Sequence, residues 1–99
     1  MSEGLTILAR IEAKADKVDL VKAELLKLVP VTLKEAGCIQ YDLHQDVDNA
    51  AVFWFVEQWK SAEHLKQHAK NTHIAAYRQT TEGAIKALEV HKMTRILGT

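Results

Sequence analysis

The chain holds a single cysteine, Cys38, so no intrachain disulfide can brace it. It holds a single proline, Pro30, and four glycines, which excludes collagen-like, proline-rich and glycine-rich architectures. Neither sign of charge prevails. Thirteen Lys and Arg balance thirteen Asp and Glu, which removes the electrostatic reason to expect nucleic acid or an anionic membrane as partner. These charges are spread along the chain, as on solvated faces. No apolar run approaches the ~20 residues of a membrane-spanning helix. Met1-Ser2-Glu3-Gly4 offers neither the basic nor the apolar region of a signal peptide, so the expectation is a cytoplasmic protein. At 99 residues and 47% hydrophobic, residues 1–99 read as one domain with one layer of core.

What is present is concentrated between Val52 and Tyr77. Val52 to Trp59 is an apolar and aromatic run that reads as a buried strand. Ser61 is placed to cap a short helix, Ala62 to Lys70, carrying His64 and His68. After Asn71-Thr72, His73 opens a second helical pattern. Several polar rings thus fall beside one buried strand.

Around this unit the periodicities are plain. Leu5 to Ala13 alternates as a strand, with Ile7, Ala9, Ile11 and Ala13 on one face. Asp16 is placed to cap the next helix, with Asp19 in its first turn. Val18, Val21, Leu25, Leu28, Val29, Thr32 and Leu33 form its apolar stripe. Pro30 should kink or end that helix, and Gly37 should stop it. Cys38 to Gln45 reads as a strand with Ile39, Tyr41 and Leu43 on one face, joined to Val52–Trp59 through the turn at 46–50. The last helix is expected to run from His73 with Ile74, Tyr77, Thr81, Ala84, Ile85 and Leu88 inward. Glu89 to Ile96 is the expected final strand, and Leu97-Gly98-Thr99 a tail.

The order strand, helix, strand, strand, helices, strand is the α+β split βαβ, or ferredoxin-like, arrangement: an antiparallel sheet with helices on one face. Yet the third strand is apolar on both faces, with Phe53, Phe55 and Trp59 on one and Trp54 and Val56 on the other. A second copy of the chain is the simplest cover, so a homodimer with facing sheets is expected.

Leu28-Val29-Pro30, Lys34-Glu35-Ala36-Gly37-Cys38, Tyr41, Glu57-Gln58-Trp59-Lys60-Ser61 and Thr72-His73 together resemble the antibiotic biosynthesis monooxygenase family, and within it the bacterial quinol monooxygenases. The resemblance runs from Ile7 to Ile96. It implies a dimeric α+β barrel and oxygen chemistry on hydroxyaromatics without metal, flavin or haem. Two positions depart from the wider pattern. Relatives often have proline where this chain has Thr72, which still suits a helix start. A haem-degrading branch uses an Asn and a His where this chain has Ala9 and Tyr77, which disfavours haem.

Cofactor-free oxygenation requires a base to ionise a phenol or quinol, and a dry pocket to contain the radicals that follow. Histidine suits the first task. His73 is the first candidate, at a helix start where the dipole disfavours positive charge; bracing that helix start is the structural alternative. His68 stands one turn beyond His64, a zinc-like spacing without a nearby acid or thiol, so a metal site is disfavoured and His68 is read as lining the pocket. Tyr41 and Trp59 share the helix-side parity and could orient a substrate hydroxyl or simply pack. Glu57 shares that face, and either pairs with a cation such as Arg78 or titrates upward. Tyr77 lies one turn past His73 and could meet the same ligand. The expected activity is cofactor-independent oxidation of a quinol or related hydroxyaromatic to a quinone by molecular oxygen. The alternatives are an isomerase of small carbonyl or phosphorylated metabolites and a non-catalytic ligand-binding or stress-response protein.

Overall fold

The computed structural model describes residues 4–98; the expected leaderless start at Met1 to Glu3 and the last tail residue, Thr99, lie outside the described residues. The elements are β1 (Leu5–Ala13), α1 (Val18–Thr32), β2 (Cys38–Gln45), β3 (Val52–Trp59), α2 (Ala62–Lys70), α3 (Thr72–Thr80) and β4 (Ile85–Met93). The strands form one antiparallel sheet in the order β2-β3-β1-β4. The two βαβ halves interleave in this order, as the ferredoxin-like arrangement requires.

Strand alternation decides where the core lies. Ile7, Ala9, Ile11 and Ala13 of β1 and Phe53, Phe55 and Trp59 of β3 are all buried, on the face that carries the helices. Val21, Leu25 and Leu28 of α1 pack onto that face, with Ile74 of α3. Thr32 ends the same stripe, fully buried, while Leu33 turns outward at 50% exposure. On the opposite face, Trp54 and Val56 are only half-buried.

The structure departs from the sequence reading in several places. Asp16 does not cap α1; the N-cap residue is Lys17, without a side-chain cap bond. Pro30 does not end α1, which continues to Thr32. Proline's fixed φ is itself helical, and Pro30 lies on the exposed side, where the carbonyl deprived of its donor can reach water. The helix stops five residues before Gly37, which instead takes φ +85° in the turn into β2. A register shift between Cys38 and Gln40 moves Ile39 off the inner face to 60% exposure, leaving Tyr41 and Leu43 there.

The last departure is the largest. α3 closes at Thr80, and β4 begins at Ile85 where a helix had been expected. Gly83, at φ +79°, lies in the turn that separates the two, and Ile85, Leu88 and Val90 pair with Ala13, Ile11 and Ala9 of β1. The three-residue step from Ile85 to Leu88 reads as helical, and β4 accommodates it through the register shift between Glu12 and Ala13, so periodicity alone misplaced this boundary.

Candidate functional site

Between the sheet and the helices lies a cavity of about 400 Å³. Ile7 and Phe55 form part of its sheet wall, and Leu25, Leu28, Leu65 and Ile74 part of its helix wall. Three polar groups interrupt this apolar lining deep in the fold: Tyr41 of β2, Glu57 of β3 and His68 of α2. Tyr77, Arg78 and Thr81 contribute from α3 and its end. Leu88 and Val90 of β4 border the cavity while remaining 63% and 54% exposed, so they mark its open side.

His68 is placed by α2. Ser61 caps that helix by accepting from the His64 backbone N–H at 3.3 Å. One turn after His64, His68 is carried under the helix and is 8% exposed. Its ring lies 4.6 Å from Trp59 and edge-on to Tyr41 at 5.6 Å. Its Nδ1 lies 2.7 Å from Glu35 Oε2. A carboxylate only accepts, so Nδ1 carries the proton and Nε2 keeps its lone pair. Burial lowers the His68 pKa below its ordinary value, against the opposing pull of Glu35. The ring is therefore a neutral base at neutral pH.

Glu35 holds a second ring. His73 Nε2 lies 3.0 Å from the same Oε2 and 3.2 Å from Thr32 Oγ1. The Glu35 backbone N–H donates to the Thr32 carbonyl at 2.9 Å, fixing the turn that presents the carboxylate. His73 is absent from the cavity lining; it stands behind His68, against Glu35 and Thr32. Tyr41 stacks on Phe55 at 4.3 Å, and burial raises its phenol pKa well above the ordinary value, with Thr32 opposing the rise. The polar groups thus run Thr32, His73, Glu35, His68, and the His68 end faces the cavity beside Tyr41.

Glu57 is 5% exposed. Trp59 Nε1 donates to its Oε1 at 2.8 Å, so the indole donor read as a substrate handle is engaged by Glu57, and Trp59 itself does not line the main cavity. Glu57 is not paired with Arg78, whose Nη1 meets the Ala69 carbonyl at 3.5 Å. Burial pushes the Glu57 carboxyl up to about 7, with Glu35 adding to the rise and the Trp59 bond opposing it. Burial also raises the pKa of Tyr77 and of the half-buried Cys38.

His64 lies apart from this network, its Nδ1 2.8 Å from Ser61 Oγ. The acid partner that sequence spacing failed to supply for His68 is Glu35, 33 residues away. Glu35 Oε2, His68 Nδ1 and His73 Nε2 lie within 4.8 Å of one another, a donor set of the kind that binds first-row divalent cations. The 2.7 and 3.0 Å separations are hydrogen-bond lengths, so a cation would have to displace the protons that now join these atoms.

Glu35 and Thr32 have no local spacing that marks them as functional. The available signal was Thr32 itself, a polar residue on the apolar stripe of α1, whose hydroxyl needs a partner once buried.

Comparison with known proteins agrees with this architecture. A structure from Pseudomonas aeruginosa, PA3566, is 32% identical with a TM-score of 0.93, and the match covers 98% of each chain. Rv0793 from Mycobacterium tuberculosis, 22% identical with a TM-score of 0.88 over 96% of this chain and 97% of its own, shares the fold. The Escherichia coli protein named "Probable quinol monooxygenase YgiN" is 28% identical over 96 residues, 87% of this chain and 92% of its own length. Residues 4–80 match the family model described as antibiotic biosynthesis monooxygenase, and the chain belongs to that family.

Proposed function

We propose that this chain is a cofactor-independent monooxygenase that oxidises a quinol or related hydroxyaromatic to a quinone with molecular oxygen, and that His68 is its base. The observation that carries this reading is the His68 imidazole, tethered through Nδ1 to Glu35 and lining an apolar cavity. Family membership and the name of the E. coli relative support the reaction class.

His68 takes the hydroxyl proton of the bound substrate on Nε2. Glu35 steadies the imidazolium that forms, through Nδ1, and holds the ring in one tautomer. The resulting anion gives an electron to oxygen more readily than the neutral ring does. The apolar walls exclude water, which keeps the radical pair together until it recombines. The sequence reading gave the base role to His73; behind His68, that ring is better suited to positioning Glu35 than to touching substrate. Tyr41 and Tyr77 remain candidates for orienting the substrate ring, and Trp59 acts through Glu57 and His68, which it contacts.

We also propose that the working unit is a homodimer, in which a second copy covers the sheet face of Trp54 and Val56. Oxygen uptake by the purified protein, measured with a panel of naphthols and hydroquinones, tests the activity. Stoichiometric uptake with quinone formation is expected, and no uptake with any of them would sink the reading.

A further inference from the structure

We propose that Glu57 is the general acid and proton shuttle of the oxygen step: its carboxyl group protonates the substrate peroxide and then recovers a proton from the carbon being oxidised. This deepens the reading above and rests on it.

The geometry sets two proton-transfer groups on opposite walls of one cavity. His68 comes from α2 on the helix wall, and Glu57 from β3 on the sheet wall. One indole, outside the cavity lining, touches both. The Trp59 ring packs against His68 at 4.6 Å, while its Nε1 donates to Glu57 Oε1. That bond occupies one carboxyl oxygen and fixes the group's orientation, so Oε2 is the oxygen left to carry a proton toward the cavity.

A flat aromatic ring bound between the two walls has its hydroxyl at one group and its reacting carbon at the other. The groups around Glu57 favour its neutral form. Tyr41, its cross-strand partner on β2, and Cys38 both bring no positive charge, and Glu35 adds negative charge. On β1 its partner is the apolar Ile7. The cationic side chain lining the same cavity is Arg78, which sits on α3 and makes no ion pair with Glu57 among the described residues. Burial thus holds the carboxyl near neutrality while it makes the His68 imidazole less basic, and environments that push two groups in opposite directions divide acid from base.

The protons and electrons balance with oxygen as the sole oxidant. For 1-naphthol, His68 takes the hydroxyl proton, one electron passes to oxygen, and superoxide joins the ring at C4. Glu57 gives its proton to the peroxide anion. The resulting carbanion-free ketone carries C4–H and C4–OOH. Glu57, now a carboxylate, removes the C4 proton; that bonding pair becomes the new C=O as the O–O bond breaks. The departing hydroxide takes the proton held by His68 and leaves as water. The product is 1,4-naphthoquinone, both side chains have returned to their starting states, and one oxygen atom is in the quinone.

The test compares wild type, Glu57→Gln and Glu57→Ala with 1-naphthol, following oxygen uptake, quinone and hydrogen peroxide across pH. A positioned acid contributes about 100- to 10,000-fold to its step, so Glu57→Gln should lose about that much in turnover while KM changes by less than about threefold. Wild-type turnover should decline as pH rises through about 7. The residual activity of Glu57→Gln should lack that decline, and acetate at pH 5 should restore part of the Glu57→Ala activity. Acid rescue distinguishes a proton donor from a packing role. Glu57→Gln turning over like wild type with the same pH profile would overturn the inference and leave the monooxygenase reading standing. Loss without acid rescue and with a large rise in KM would overturn it in favour of substrate binding. Wild type that consumes no oxygen with 1-naphthol or the wider panel overturns both.

Discussion

Glu35 and His68 meet through a single 2.7 Å contact between Oε2 and Nδ1, and this contact makes a buried histidine usable as a base. Without a carboxylate, burial alone would leave the imidazole neutral but free to adopt either tautomer. Glu35→Gln keeps the shape and removes the charge. Turnover should fall by about 10- to 1,000-fold with KM little changed, because the imidazolium formed during reaction loses its counter-charge. Steady-state kinetics on a quinol substrate check this. Unchanged turnover would remove Glu35 from the mechanism.

Glu57 and His68 should leave opposite marks on stability. The Glu57 carboxyl has its folded pKa raised from 4.5 to about 7, so its contribution is fully present below pH 4.5 and is lost as pH rises through about 7. The buried His68 has its folded pKa lowered below 6.5, so its contribution is present above pH 6.5 and is lost as pH falls. Glu57→Gln should therefore gain stability relative to wild type between pH 5 and pH 8, by up to about 3 kcal/mol. Urea unfolding at the two pH values measures this. Parallel stability curves for the two proteins would contradict it.

Gly37 connects the fold to the site. It takes φ +85° in the turn between Glu35 and β2, and a Cβ there would overlap the His64 ring. A left-handed backbone costs an L-residue roughly 1–2 kcal/mol, before the overlap with His64 is counted. Gly37→Ala should lower stability by at least that much and loosen the turn that presents Glu35. A thermal melt checks the first effect and turnover the second. An unchanged melting temperature would mean that the turn can relax around the new methyl group.

The sheet was legible in the sequence because its period is two and one face is buried. Ile7, Ala9 and Ile11, or Phe53 and Phe55, could point nowhere but inward. The boundary between α3 and β4 was not, since Ala84, Ile85 and Leu88 satisfy a helical spacing until pairing with β1 decides. The cavity-facing positions of Tyr41, Glu57 and His68 followed from strand parity and helical position. The partnership of His68 with Glu35 did not, because it joins a turn and a helix distant in sequence. Nor could the sequence tell which of two nearby histidines would face the cavity. His68 is the last turn of one helix and His73 the first turn of the next, and only the angle between those helices puts one ring in front of the other.

Assembly can be tested through Trp54, half-buried on the face away from the helices. If a second copy packs there, Trp54→Glu leaves a charge desolvated at the contact. Sedimentation should show a dimer for wild type at micromolar concentration and monomer or unfolded chain for the variant. A wild-type monomer, folded and stable, would end the dimer proposal.

The two histidines separate cleanly by substitution. His68→Ala removes the ring that lines the cavity, and turnover should fall by about 100- to 10,000-fold, the range of a general base. The loss should shrink as pH rises, because more of the hydroxyaromatic then ionises in water. His73→Ala removes a ring whose polar and ring contacts among the described residues are with Glu35, Thr32 and His68. Glu35 keeps its bond to His68, so turnover should fall by about tenfold or less, with no comparable recovery at high pH. Both variants need circular dichroism spectra like wild type for the comparison to hold, since each opens a space beside Glu35. If His73→Ala shows the larger loss and its recovery at high pH, the proton passes to His73, and His68 becomes the ring that positions it.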